Sequence, residues 1–461
     1  MPPVKIVIVG GGSVLWSPML ARDFCLNEGL CGEIVLYDHK LEAAQQAKQL
    51  YDKYNTDQRW TIEVAEVLGQ ALAGTNVVLV TINHGGMAGT KIDLELPASY
   101  GLTQTVGDTV SAGGISRAIR NVPAIAEIAA AMHKYCPGAW LINCSNPMTV
   151  MCSAASTEHD NVIGYCHEWQ FFGQFLRQLW LGTGFRLRPV IFGLNHFAGV
   201  VDLFEVDSSG TSTSVLDHTI ARLPELSMTD EEFEKFGPFE NFRQLSRRLA
   251  GDWRLLPFPG DRHLVEFLEG QWIISPSNLR QLLIKVTTLE QRRDGADKAS
   301  RQYQRWLAGT EQLPQGHSME ELDYIVAALS GGDEYETNLV VPAEMVEATG
   351  LPSILELPGC PWEVSCHLSQ GRVVPVEDLG PSVLSRTIAR SPFYSLSNTH
   401  GQICNLVHNG ILLKSPERLM RALQMDPSAS YQLKASGRDA QELVNDLIRA
   451  NCNLMYVPPW A

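Results

Sequence analysis

"VKIVIVGGGSVLW", residues 4–16, decides how the rest of the chain is read. An apolar run rich in Val and Ile has the composition of a buried strand, and three glycines end it. In a nucleotide-binding fold the first glycine of G-x-G-x-x-G permits a tight turn, and the second lets pyrophosphate approach a helix N-terminus. Gly10 and Gly12 occupy those places, while Leu15 stands where the third glycine would be. The next apolar run, "EIVLYD" (33–38), ends in Asp38, 23 residues beyond Leu15. A carboxylate there takes ribose hydroxyls and disfavours a 2′-phosphate, so the pattern predicts NAD rather than NADP. The expected cofactor contacts are Gly10, Gly11, Gly12, Ser13, Asp38 and Asn83. A glycine turn also reads as a plain βα junction, and an Asp there as a helix cap. The flanking strand, the early position and the acidic partner together favour the dinucleotide.

Further short apolar runs follow at "NVVLVTI" (76–82), "AWLINCS" (139–145) and "NVIGYC" (161–166), with helix-like stretches between most of them. The alternation predicts an α/β fold with a doubly wound, mostly parallel sheet. Past residue 166 the pattern is mixed. Residues 188–206 read as strands, 229–250 as a charged helix and 278–308 as one long helix. The expected organisation is a Rossmann dinucleotide-binding domain over 1–165 and an α+β catalytic, substrate and oligomerisation domain over 166–461.

The chain has 461 residues and a formal charge of −15, which argues against an electrostatic hold on nucleic acid or anionic lipid. Its ten cysteines show neither disulfide-like spacing nor a C-x-x-C pair, so reduced thiols are expected. The N-terminus runs straight into a strand without a leader pattern, and no apolar run reaches the ~18 residues of a membrane span. A cytoplasmic protein is the expectation.

Several polar residues stand where strands end. Cys166 and His196 close "NVIGYC" and "VIFGLNH". A thiolate and a neutral imidazole from neighbouring strand ends can converge on one divalent ion, although buried Cys and hydrogen-bonded His are the commoner fates of such residues. Asn146 in "NCSNP", Asp108 in the Gly-flanked loop before Arg117 and Arg120, and Asp261 in "PFPGDRHLVEF" are also placed for ligand contact. Each alone also reads as a turn or cap.

Taken together, "KIVIVGGGS", "INHGGMAGTKIDLELPASYGLTQTVGDTVSAGGISRAIRNVP", "NCSNPM", "GYCHE", "GLNHF", "PFPGDRHLVEF", "WEVSCHLSQGRVVPV" and "RALQMDP" resemble glycoside hydrolase family 4 along nearly the whole chain. That family comprises NAD- and divalent-metal-dependent glycosidases with a fold of lactate/malate dehydrogenase type, including its C-terminal domain. The resemblance implies Cys166 and His196 as metal ligands, with Mn²⁺ the best fit, and Asn146 and His167 as sugar contacts. It further implies Asp108 as the acid, Asp261 as the base, and substrate contacts from Arg262 and His263. His167 falls where members acting on unphosphorylated α-glycosides show C-H. The sequence departs from the family at Asn83, at "KIDLELP", which lacks the usual Arg, and at Ser111 in place of a common Gly.

The implied reaction answers a physical problem. A carboxylate with a pKa near 3.9 cannot deprotonate an ordinary sugar carbon, because each unit of mismatch costs about 1.36 kcal/mol. Hydride transfer from C3 to NAD yields a ketone that acidifies C2, and a divalent cation stabilises the enediolate. Elimination, water addition and hydride return complete hydrolysis, outside the two-carboxylate scheme. The closest likeness is to the α-galactosidase, α-glucuronidase and α-galacturonidase branches, so a hexoside or a uronide is expected, and Arg262 or Arg117 could meet a uronate carboxylate. Relatives of this kind form homodimers or homotetramers. A plain NAD-dependent sugar or hydroxy-acid dehydrogenase would keep the glycine turn and Asp38 but needs neither Cys166 nor Asp261.

Overall fold

The computed structural model describes residues 3–177, 186–225, 244–347, 359–376, 391–458 and 460. Strands β1 (Val4–Val9), β2 (Gly32–Tyr37), β3 (Trp60–Ala65), β4 (Val77–Val80), β5 (Trp140–Asn143) and β6 (Val162–Gly164) pair in parallel in the order β3-β2-β1-β4-β5-β6. This is the doubly wound order of a dinucleotide fold, with a ligand crevice at the carboxyl ends of β1 and β4, where the winding reverses. The fold class is α/β, as the alternation implied.

Ile6, Val7, Ile8, Val78, Leu79 and Val80 have no exposed surface. Burial on both faces is what continuous apolar runs require of central parallel strands. Strand β3 was not among the runs read from the sequence. It lies at the sheet edge, where Trp60 and Ile62 face inward while Thr61 and Glu63 face out, and that alternation weakens its apolar signal.

Beyond β6 the same sheet continues with antiparallel pairing. Strands β7 (Arg186–Leu194) and β8 (Phe197–Val206) form a hairpin, joined by β9 (Ser212–Ser214), β10 (Leu256–Pro257), β11 (Tyr335–Val341), β12 (Trp362–Ser369) and β13 (Arg372–Pro375). The order from β10 runs β10-β8-β7-β12-β11-β6. The helix expected over 278–308 is two helices, Pro276–Gln281 and Leu289–Ala308. Leu283 takes a left-handed φ of 56° between them, and a Thr288–Gln291 capping box restarts the second. Of the charged helix expected over 229–250, residues 229–243 lie outside the described residues, and Leu245–Trp253 is helical.

Helices Pro392–Leu412, Pro416–Met425, Pro427–Ser436 and Ala440–Leu454 end the fold. The first three open with proline, whose fixed φ suits the first helical turn. Arg120, in helix Ser111–Tyr135, is fully buried against this layer. Its guanidinium meets Asp93 at 2.7 and 2.8 Å and also donates to Asn451.

Candidate active site

The glycine turn follows β1 at the crevice. The Gly10 and Gly11 amides donate to the Tyr37 carbonyl at 2.9 and 3.0 Å, and Gly10 takes φ +89°. A Cβ on Gly10 would lie 2.6 Å from the Thr81 carbonyl oxygen, and one on Gly12 would lie 2.5 Å from Ala43 Cβ. Leu15, in the third place, is 56% exposed, so no close packing demands glycine there. The Asp38 carboxylate accepts from the Gly12 amide at 3.0 Å and the Lys40 amide at 2.9 Å, closing the turn. Ser13 Oγ accepts from the Trp16 amide at 3.2 Å, at the start of helix Trp16–Leu26. Asn83 is exposed just past β4, and its carbonyl accepts from Gly86 at 2.9 Å.

Cys166 and His196 also lie beyond strand ends, but β6 and β7 are not neighbours: β11 and β12 stand between them. The two side chains still meet, with Sγ 3.8 Å from Nε2. His196 holds a left-handed φ of 65° in the tight turn between β7 and β8. Glu168 completes the group, its Oε1 3.8 Å from His196 Nε2 and 3.4 Å from His263 Nδ1. The ligand atoms of Cys166, Glu168 and His196 all lie within 4.8 Å of one another, as do those of Asp108, His196 and His263.

The hydrogen bonds fix the His196 tautomer. Thr109 donates its one hydroxyl proton to Asp108 Oδ1 at 2.9 Å, so at 2.7 Å from His196 Nδ1 it must accept. Nδ1 therefore carries hydrogen, and Nε2 turns its lone pair towards Cys166 and Glu168. Burial keeps the ring neutral, lowering its pKa to about 4 against the opposing pull of Asp108. Burial, then Glu168 and Glu363, push the Cys166 thiol well above its usual 9.0. Burial, then Glu363 and Asp108, likewise push Glu168 up. Beneath the group, Glu363 of β12 accepts from Asn195 at 3.2 Å and from Asn338, and burial raises it to about 7.

Asp108 is nearly buried, 3.2 Å from Arg117 and 3.5 Å from Arg292. Burial pushes its pKa up, but the Arg117 and Arg292 guanidiniums outweigh that and hold it well below the carboxylate range. The two guanidiniums thus favour the ionised form of the residue implied as an acid. Glu266 fixes its loop by accepting from the Val106 and Gly107 amides at 2.8 and 3.0 Å. Ser111, at a common family glycine, takes φ 58°.

Asp261, expected as the base, is held by backbone and hydroxyl donors. Its Oδ2 accepts from the Gln244 and Leu245 amides at 3.1 and 2.9 Å, and Oδ1 from the Ser246 amide at 2.9 Å and the Ser246 hydroxyl. A carboxylate has about four acceptor sites, and all are engaged at the start of helix Leu245–Trp253. Asp261 thus caps this helix and has no exposed surface, and burial pushes its pKa up against the Ser246, Leu245 and Gln244 donors. Arg262 is buried, donating to the Thr105 carbonyl at 3.3 Å and to Thr287. His263 is buried against His196, ring centres 4.4 Å apart. Asn146 is half-buried, its carbonyl accepting from Asn121 at 2.8 Å. His167 Nδ1 meets Glu320 at 2.9 Å; burial lowers the ring's pKa, and Glu320 more than offsets this.

Sequence reasoning missed Thr109, Glu168, Arg292, Glu320 and Glu363. Thr109, Glu168 and Glu363 lie within "QTVGDT", "GYCHE" and "WEVSC", whereas Arg292 and Glu320 lie in none of the quoted stretches.

A doubly wound sheet whose strand ends gather a thiol, imidazoles and carboxylates defines an α/β protein with a candidate metal-binding cluster. The comparisons narrow this. Residues 5–181 match the model of the family 4 glycosyl hydrolases. An α-galacturonidase of Bacillus subtilis (strain 168) is 28% identical over 460 residues, covering 97% of each chain. The solved structure of lplD from Bacillus subtilis superposes with a TM-score of 0.81 at 27% identity, over 96% of this chain and 99% of that one. A 6-phospho-α-glucosidase from gut microorganisms, solved with NAD and Mn²⁺, shares the fold at 16% identity, with a TM-score of 0.74 and 98% of each chain covered. The chain is thus similar to the family 4 glycosyl hydrolases over residues 5–181 and to an α-galacturonidase over nearly its full length. Among the described residues no helix is long and apolar enough to cross a membrane.

Proposed function

We propose that the chain hydrolyses α-linked, unphosphorylated uronides, α-galacturonides first among them, using NAD and a divalent metal, Mn²⁺ before others. The observation that carries this is the Cys166–His196 pair, its imidazole lone pair turned inward by Thr109, beside the glycine crevice at the same end of the sheet. The family match and the α-galacturonidase relatives support the substrate class.

The residues fit both groups. Cβ atoms at Gly10 and Gly12 would collide with backbone or side chain, which leaves the turn bare for a pyrophosphate, with Asp38 at the ribose end. Cys166 and His196, with Glu168 in reach, form a mixed S/N/O donor set of transition-metal character. A cation there would also favour the Cys166 thiolate, which burial alone opposes. When bound, NAD supplies reversible hydride transfer at sugar C3, and the metal supplies Lewis-acid stabilisation of negative charge on the neighbouring oxygens.

The protein residues then divide the remaining work. Asp108, facing Arg117 and Arg292, is assigned to departure of the aglycone oxygen from sugar C1. The paired guanidiniums leave local positive charge for a uronate carboxylate, and Arg292, 27% exposed, is the more reachable. Asn146 and His167 contact sugar hydroxyls. The same reading assigns 1–165 to the dinucleotide, 166–461 to substrate and oligomerisation, and a cytoplasmic homodimer or homotetramer to the whole.

The test is kcat/KM for p-nitrophenyl α-galacturonide against the matching α-galactoside, with NAD⁺ and Mn²⁺. The expected preference for the uronide is about tenfold or more, since a site built for a polar group discriminates against its absence. Equal rates, or cleavage of the galactoside alone, would overturn the substrate assignment.

A further inference from the structure

The segment between helix Leu289–Ala308 and helix Leu322–Leu329 carries a buried carboxylate that the chemistry above does not use. Glu320 is 5% exposed, yet it holds the Nδ1 of His167, a side chain 38% exposed beside Cys166, at 2.9 Å. Its backbone is anchored: the Glu320 amide donates to Ser318 Oγ at 3.1 Å, and the Ser318 amide and hydroxyl donate to Asp23, the amide at 2.6 Å. Asp23 is a buried residue of helix Trp16–Leu26, which opens the dinucleotide crevice. A second tie lies beside the first, where Asn27 donates to Asp323 at 2.9 Å.

We infer that Glu320 is a positioning residue for His167, braced through Ser318 and Asp23 on the dinucleotide-binding helix; this rests on reading His167 as a sugar contact. A carboxylate oxygen accepts, so the ring must carry hydrogen on Nδ1. Nε2 is then fixed in direction and becomes the acceptor of the neutral ring. A second-sphere carboxylate acting in this way sets both tautomer and orientation, as it does for metal-bound histidines. Burying a carboxylate is costly, and packing alone would be met by an apolar residue.

The test uses the full chain in two arms. In ¹⁵N-histidine NMR of the unmodified protein, assigned through His167→Gln and recorded at a pH high enough that the ring is neutral, His167 is expected as the Nδ1–H tautomer, and Glu320→Ala should abolish that preference. An Nε2–H tautomer in the unmodified protein overturns the inference. In kinetics with p-nitrophenyl α-galacturonide, Glu320→Ala should raise KM about tenfold with kcat changed less, the loss expected for one charge-assisted hydrogen bond. Glu320→Gln keeps an acceptor oxygen and should restore KM to within about twofold. Adding Glu320→Ala to His167→Ala should cost nothing further. Additive losses, or no rescue by Gln, would mean a merely structural role and overturn it. Should Glu320→Ala not fold, the unmodified tautomer and the Gln variant decide. Should no glycoside be cleaved, the proposed function fails, while the tautomer still decides the role of Glu320.

Discussion

Replacing Gly12 with alanine would place a methyl group 2.5 Å from Ala43 Cβ, 2.9 Å from the Ala43 carbonyl carbon and 3.0 Å from the Ala44 nitrogen. Carbon atoms sit comfortably at about 3.5–4.0 Å, so the turn and helix Leu41–Tyr54 must separate by roughly an ångström. The helix cannot slide freely, because Ala44, Ala47, Leu50 and Tyr51 have no exposed surface. Overpacking of this kind costs about 1–3 kcal/mol. The movement would draw the Gly12 amide from Asp38, now at 3.0 Å, and spoil the pyrophosphate cradle. If the cost appears in binding, the NAD⁺ dissociation constant rises about 5- to 150-fold. Isothermal titration with NAD⁺, beside urea unfolding, measures both parts. Ala43→Gly in the same chain should recover part of the loss, because it removes the 2.5 Å contact but leaves the backbone contacts. Gly138→Ala, with nothing within 4 Å, is the control. NAD⁺ affinity within about twofold of the parent and an unchanged unfolding midpoint would refute the reasoning.

Other outcomes follow from the same geometry. Asp93→Asn should destabilise the fold by about 3–5 kcal/mol in urea unfolding, because it leaves the fully buried Arg120 guanidinium uncompensated. Cys166→Ser and His196→Ala should each weaken Mn²⁺ binding at least about tenfold by calorimetry, with NAD⁺ affinity within about threefold. Asp426, pushed up to about 6 by burial against the opposing Ala429, Ser111 and Ser428 amides, keeps its proton in the native state to higher pH than in the unfolded chain. Its contribution to stability therefore falls as pH rises from about 4 to about 6 and is flat above that. Asp426→Asn, which retains the cap on Ala429, should gain stability over the parent across that window, by about 1–3 kcal/mol, as read from urea midpoints at several pH values.

The parallel half of the fold was legible because its signals are local: runs such as "IVIV" and "VVLV" are buried on both faces and read as strands without knowledge of their partners. The glycine turn and Asp38 were legible for the same reason. Strand β3 was not, since an edge strand needs only one apolar face. Cys166 and His196 approach each other, but not from neighbouring strands as the runs suggested, because the later strands β11 and β12 insert between theirs. Arg292 and Glu320 left no local trace. On the sequence they belong to a charged helix and a polar connection, and only tertiary packing brings them to Asp108 and His167. For Asp261 the Pro/Gly turn around it already spoke for the cap that the structure contains, a local signal independent of the role the resemblance implies.

The most direct test is turnover of p-nitrophenyl α-galacturonide in D₂O with NAD⁺, Mn²⁺ and a thiol reductant, followed by NMR of the released sugar and absorbance of NADH. The expected result is nitrophenol release with deuterium at C2 and no net NADH. Release without deuterium at C2 would mean direct displacement, and steady NADH without nitrophenol would mean a dehydrogenase; either contradicts hydrolysis through C3 oxidation.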